Sequence, residues 1–177
     1  LFQSVTARTA GFASVDLSRL SDPGSLVMDV LMLVGGSPAS TAGGFKTTTF
    51  AILLLGIAAQ AHRRNDVTVF HRRLDSESVT RAWTISAIYF FAVIIGTVAV
   101  SAAEPFGLKE ALFEVCSAIG TVGLTMGVTP TLGLFSRVLL IVFMFAGKLG
   151  AMTLALALAE TASGDDVQRP LGNVLIG

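Results

Sequence analysis

The sequence predicts an all-α membrane protein built from helix, re-entrant pore loop and helix repeats, with one transmembrane helix broken near its middle. Three observations carry that prediction. The chain is 53% hydrophobic and only 14% charged, with a mean hydropathy of +0.75, more apolar than soluble domains are. It contains a 22-residue run without a charge, from Ala82 to Ala103. Two segments far apart, Thr9-Ala10-Gly11-Phe12 and Thr121-Val122-Gly123-Leu124, share a Thr-x-Gly-apolar pattern. Glycine reaches backbone angles closed to other residues, so such a turn can aim successive carbonyl oxygens at a dehydrated cation. Two copies separated by a complete hydrophobic passage suggest internal duplication, as in transport proteins.

Taken in chain order, the first turn comes almost at once. A re-entrant turn needs a descending helix before it, so that helix, and further repeats, are expected to precede Leu1 in a longer parent. Next come two apolar pieces, Leu26 to Val34 and Phe50 to Ala61, each about half a span. Between them lies Gly35-Gly36-Ser37-Pro38-Ala39-Ser40-Thr41-Ala42-Gly43-Gly44-Phe45-Lys46-Thr47-Thr48-Thr49. Four glycines and a proline interrupt any helix here. The flanks are too apolar for water, so the reading is a transmembrane helix broken by a polar loop at membrane depth, able to plug a pore. Lys46 would then set a positive charge beneath the filter. The competing readings are an interfacial connector with a snorkelling lysine, and a phosphate loop. The second fails on spacing, because Phe45 separates Gly44 from Lys46 and no strand precedes the run.

Five of the twelve Lys and Arg residues fall between Arg63 and Arg81, which places this stretch on the cytoplasmic side. His62 and His71 belong to it as solvated residues without a metal role. Ala82 to Ala103 then spans about 33 Å as a helix against a hydrocarbon core of about 30 Å, with Trp83 at the interfacial belt beside Arg81. Ala111 to Ser117 is too short to cross and reads as a half-helix ending at the second turn, its carboxyl end turned toward the ion. Glu110 and Glu114 are expected near its amino end, in a capping or vestibule role. Ser136 to Ala159 is the last candidate span, interrupted by Gly147-Lys148-Leu149-Gly150. A lysine at that depth calls for a partner or a wet cavity.

Other classes are weaker. Twelve acidic residues balance the twelve basic ones, leaving no electrostatic footprint for nucleic acid. The single cysteine, Cys116, excludes an intrachain disulfide and reads as a small buried residue. A membrane enzyme would need a convergent cluster of catalytic groups, yet both histidines lie in the basic stretch. A secondary carrier moving a cation-coupled solute would share the broken helices but needs a midplane substrate site of mixed polarity rather than repeated Thr-x-Gly turns. A non-conducting structural subunit has no reason for paired turns.

These residues resemble the carboxyl-terminal part of the membrane subunit of the Trk/Ktr/HKT potassium transporter superfamily, most closely the KtrB type. Thr6-Ala7-Arg8-Thr9-Ala10-Gly11-Phe12 looks like the third filter loop, Ser117 to Leu124 like the fourth, and Gly35 to Thr49 like the intramembrane gating loop. The resemblance implies K⁺ transport, with Na⁺ a further ion, through Thr9, Ala10, Gly11, Thr121, Val122 and Gly123. Gly35, Gly36, Gly43, Gly44 and Lys46 would form the gate, with Lys148 where the family usually carries an arginine. Lys148 would hold loop carbonyls, or pair with Asp29, which has Lys46 as its other candidate partner. Arg8 is expected behind the filter in an ion pair. The implied organisation is the end of a third pore repeat at 1–62, a cytoplasmic loop at 63–80, a fourth repeat at 81–163 and a tail at 164–177, whose Leu171 to Ile176 could pack at an interface. Also implied are a bacterial plasma membrane location, a homodimer, and a cytoplasmic nucleotide-binding regulatory ring of the KtrA/TrkA type.

Overall fold

The computed structural model describes residues 2–38, 40, 42–62, 67–69 and 72–149. Among them are six α-helices: α1 (Phe2–Thr6), α2 (Asp22–Leu33), α3 (Thr47–Ala61), α4 (Ser76–Ala103), α5 (Leu108–Ile119) and α6 (Leu134–Leu149). The start of α2 is fixed locally. Ser21 caps it by accepting the Gly24 N–H at 3.3 Å, and Pro23 sits where a missing N–H costs nothing. The chain leaves α2 at Val34, which bridges Phe45 across the intervening loop, and becomes helical again at Thr47. Two two-residue strands in the basic stretch, β1 (Thr68–Val69) and β2 (Arg72–Arg73), pair antiparallel with Thr68 opposite Arg73. The sequence reading did not foresee this small ladder.

At 28 residues, α4 is about 42 Å long. It is the one helix among the described residues that is both long and apolar enough to cross a membrane. It begins six residues before the uncharged run, because an exposed Glu77–Arg81 ion pair one turn apart extends it into polar sequence. α5 is longer than its apolar stretch suggested, reaching back to Leu108, yet its 12 residues span only about 18 Å. α6 continues through Gly147 and Lys148 to Leu149, so Gly147 does not break it. The rest of that candidate span, Gly150 included, lies outside the described residues, as do His71 and the tail.

The short helix is the innermost. Ala111, Phe113, Val115, Cys116, Ala118 and Ile119 of α5 are all buried, and α2, α4 and α6 pack around it. Three layers meet at Gly96 of α4, where a β-carbon would come within 2.9 Å of Phe143 Cζ and 3.0 Å of Val115 Cγ1. The outward faces are apolar instead of polar: Phe90, Phe91, Ile95 and Val98 of α4, and Phe135, Ile141 and Phe145 of α6, are exposed. α3 buries no residue fully. Soluble monomers rarely show continuous apolar surface of this kind; a bilayer, or the remainder of a longer parent, would cover it.

Candidate ion-filter site

The two Thr-x-Gly turns have the same backbone. Thr9 and Thr121 are the only non-glycine residues with positive φ among the described residues, at 70° and 52°. Gly11 and Gly123, two positions on in each case, have φ of 74° and 85°. A β-branched residue in left-handed geometry is held there by its surroundings against a cost of roughly 1–3 kcal/mol. The holding bonds are visible. In the first turn the Ala10 and Gly11 N–H groups both donate to the Thr6 carbonyl, at 3.1 and 3.2 Å. In the second, Gly120, Thr121 and Val122 donate to the Cys116, Ala118 and Ser117 carbonyls at 2.8, 3.0 and 2.9 Å. The second turn is thus folded back on the carboxyl end of α5.

The turns are also neighbours. A β-carbon at Gly11 would run into the Val122 carbonyl oxygen, so glycine is required there by contact as well as by φ. The fold therefore brings Thr9, Ala10 and Gly11 beside Thr121, Val122 and Gly123.

The Gly-rich loop docks on both turns. Its Gly43 N–H donates to Thr121 Oγ1 at 3.0 Å, and Arg8 Nη2 donates to the Gly35 carbonyl at 3.3 Å. Arg8 makes no ion pair among the described residues; its guanidinium bonds a loop carbonyl instead. Gly43 is buried, and a β-carbon there would lie 2.7 Å from Thr121 Cγ2 and 2.9 Å from the Gly120 carbonyl oxygen. Within the loop, Gly35 N–H donates to the Phe45 carbonyl at 2.7 Å and Thr47 N–H to the Gly36 carbonyl at 3.2 Å. Gly44, with φ of 70°, completes the return.

The charges sit differently from expectation. Lys46 Nζ donates to the Ser40 and Ala42 carbonyls at 3.0 and 2.8 Å, so it ties the loop to itself. Asp29 on α2 is 4% exposed and its Oδ1 has no hydrogen-bond partner, so the pairing with Lys46 is not made. Lys148 follows Gly147, whose α-carbon packs against the end of α5 beside Ile119. Glu114 is not at an amino end: α5 begins earlier than Ala111, which leaves this carboxylate in mid-helix, 4% exposed. It accepts hydrogen bonds from Thr125 Oγ1 and, at 2.9 Å, from Thr129 Oγ1. Cys116 is buried with a free thiol.

The supporting roles of three residues, Thr6, Thr125 and Thr129, escaped the sequence reading. Thr6 Oγ1 donates to the Phe12 carbonyl at 2.6 Å and accepts the Phe12 N–H at 2.8 Å, closing the first turn into a loop. Beyond the second turn, Thr125 and Thr129 donate to Glu114 of α5. Thr6 lies three residues before Thr9, and that Thr-x-x-Thr spacing was the available signal. In the connector after the first turn, the Ser18 hydroxyl and N–H hold the Asp16 carboxyl below the usual carboxylate range.

A short buried helix ringed by apolar helices, ending in a left-handed Thr-x-Gly turn against a second such turn, defines an all-α membrane pore fold. The chain belongs to the TrkH family of cation transport proteins, whose profile matches residues 1–168. It is 35% identical over 99% of its length to Ktr system potassium uptake protein B of Bacillus subtilis, covering 39% of that protein. It is 38% identical to the potassium/sodium uptake protein NtpJ of Enterococcus hirae, over 92% of this chain and 37% of that one. The potassium transporter TrkH from Vibrio parahaemolyticus has a similar fold, with a TM-score of 0.71, 23% identity, and coverage of 93% of this chain and 37% of the other. The chain thus spans less than two fifths of the length of these relatives. Its family is one of membrane transport proteins, not enzymes.

Proposed function

We propose that the protein carrying this chain takes up K⁺ across the bacterial plasma membrane through a selectivity filter made of Thr-x-Gly turns. The observation that carries the reading is the matched backbone of Thr9–Gly11 and Thr121–Gly123, left-handed at the same two positions in turns that touch. Carbonyls of Thr9, Ala10 and Gly11, and of Thr121, Val122 and Gly123, replace the hydration shell of the ion. Two further turns from the remainder of the parent complete the ring. Similarity to a potassium uptake protein supports potassium as the cargo, and similarity to the potassium/sodium uptake protein NtpJ supports sodium beside it.

The loop at 34–46 is the gate. α2 and α3 form one transmembrane helix broken at the depth of the filter, and Gly35, Gly36, Gly43 and Gly44 give the loop the close fit that blocks passage. Lys46 braces the loop internally, and Lys148 supplies a positive charge at the inner end of α6. The protein works as a homodimer with one pore per subunit, and a cytoplasmic nucleotide-binding ring of the KtrA/TrkA type controls the gate.

The test is growth of a potassium-uptake-deficient bacterium on low K⁺ while expressing the full-length protein. We expect growth from the parent, and a large increase in K⁺ flux on deleting Gly35 to Gly44. Absence of uptake by the parent would return the protein to the carrier reading; unchanged flux in the deletion would remove the gate.

A further inference from the structure

We propose that the gating loop is latched to the filter itself, by Arg8 from one Thr-x-Gly turn and Thr121 from the other, and that this latch keeps the filter selective while the gate is shut. The inference rests on the gate reading above and deepens it. Two hydrogen bonds define the latch. Arg8 precedes Thr9 and holds the Gly35 carbonyl where the loop begins, at 3.3 Å. Gly43, where the loop ends, gives its N–H to Thr121 Oγ1 at 3.0 Å. One loop is therefore pinned at both ends, each time to a different filter turn.

Its interior makes it move as a unit. Lys46 holds the Ser40 and Ala42 carbonyls, and Gly35 N–H holds the Phe45 carbonyl at 2.7 Å. A body braced in this way cannot swing aside piecemeal, so opening must break the Arg8 and Thr121 bonds together. Both residues adjoin or occupy strained backbone: Thr9 and Thr121 have φ of 70° and 52°, conformations that persist only while their surroundings fix them. Loss of the loop removes part of that fixing. Arg8 and Thr121 are thus positioning residues, acting on the ion through the turns they belong to. By linkage, cations that favour the ordered filter also favour the closed loop.

The test uses the full-length protein in proteoliposomes, reading K⁺ flux and the K⁺/Na⁺ flux ratio for the parent, Arg8→Met, Gly43→Ala, the Gly35–Gly44 deletion, and the deletion combined with Arg8→Met. Arg8→Met removes the donor while keeping an unbranched side chain. Gly43→Ala drives a methyl into Thr121 and needs no change at Arg8, so it serves if Arg8→Met fails to assemble. We expect each single substitution to raise flux roughly fivefold or more and to lower the K⁺/Na⁺ ratio. In the deletion background Arg8→Met should change flux no further, because its partner carbonyl is gone. Arg8→Met acting equally with and without the loop would overturn the latch. So would both substitutions leaving flux at the parent level while the deletion raises it, an outcome that spares the gate. A deletion without effect would sink the gate and the latch together.

Discussion

Glu114 shows what a single residue does behind the second Thr-x-Gly turn. A carboxylate in the middle of a buried helix is costly unless its oxygens are satisfied, and here the hydroxyls of Thr125 and Thr129 supply them. The two hydroxyls lie 2.7 Å apart, and Thr125 Oγ1 also accepts the Gly127 N–H at 2.9 Å. The segment leaving the second turn is thereby tied to α5. Hydrogen bonds to a charged group contribute about 1.5–3 kcal/mol each, so Glu114→Ala should cost about 3 kcal/mol and lower the melting temperature of the full-length protein in detergent by several degrees. Glu114→Gln keeps the shape and one acceptor and should cost less than half of that. An Ala variant that melts with the parent would mean the tie carries no stability. The sequence showed Glu114 as a charge in an apolar stretch, but partners 11 and 15 residues ahead follow from no helical period.

Among the elements, α5 organises the fold, and the close approach of α4 and α6 around it turns on Gly96. Its missing side chain admits the Phe143 ring and Val115. Gly96→Leu should overpack this junction by about 1–3 kcal/mol. Combined with Phe143→Ala, the loss should be smaller than the sum of the two single changes, since the ring that clashes is then absent. Thermal unfolding of the two singles and the double measures this directly, and simple additivity would refute the junction. Which of the longer helices exist was legible. The uncharged run announced α4, the short apolar stretch announced α5, and the glycines of 35–44 announced an interruption between α2 and α3. Their boundaries were less so, because polar ends such as Ser76–Arg81 become helical through pairs like Glu77–Arg81 that hydropathy does not register. The docking of the loop on the turns was not legible at all, since Gly43 and Thr121 stand 78 residues apart and only the packing of α2 on α5 brings them together.

At the scale of the whole molecule, the fold brings two Thr-x-Gly turns into contact and leaves apolar faces of α3, α4 and α6 exposed. The repetition of Thr-x-Gly is visible in one dimension, whereas the orientation of the turns is not. The central claim is that these turns form the ion filter. Gly123 tests it, because its φ is 85° and a β-carbon there would meet nothing within 4 Å among the described residues. A serine there adds backbone strain of about 1–2 kcal/mol, or about tenfold in an equilibrium. The decisive measurement is the K⁺/Na⁺ flux ratio of the full-length protein in proteoliposomes, parent against Gly123→Ser. The filter predicts a ratio lowered about tenfold by the substitution; a folded, conducting variant with the parent's ratio would contradict it.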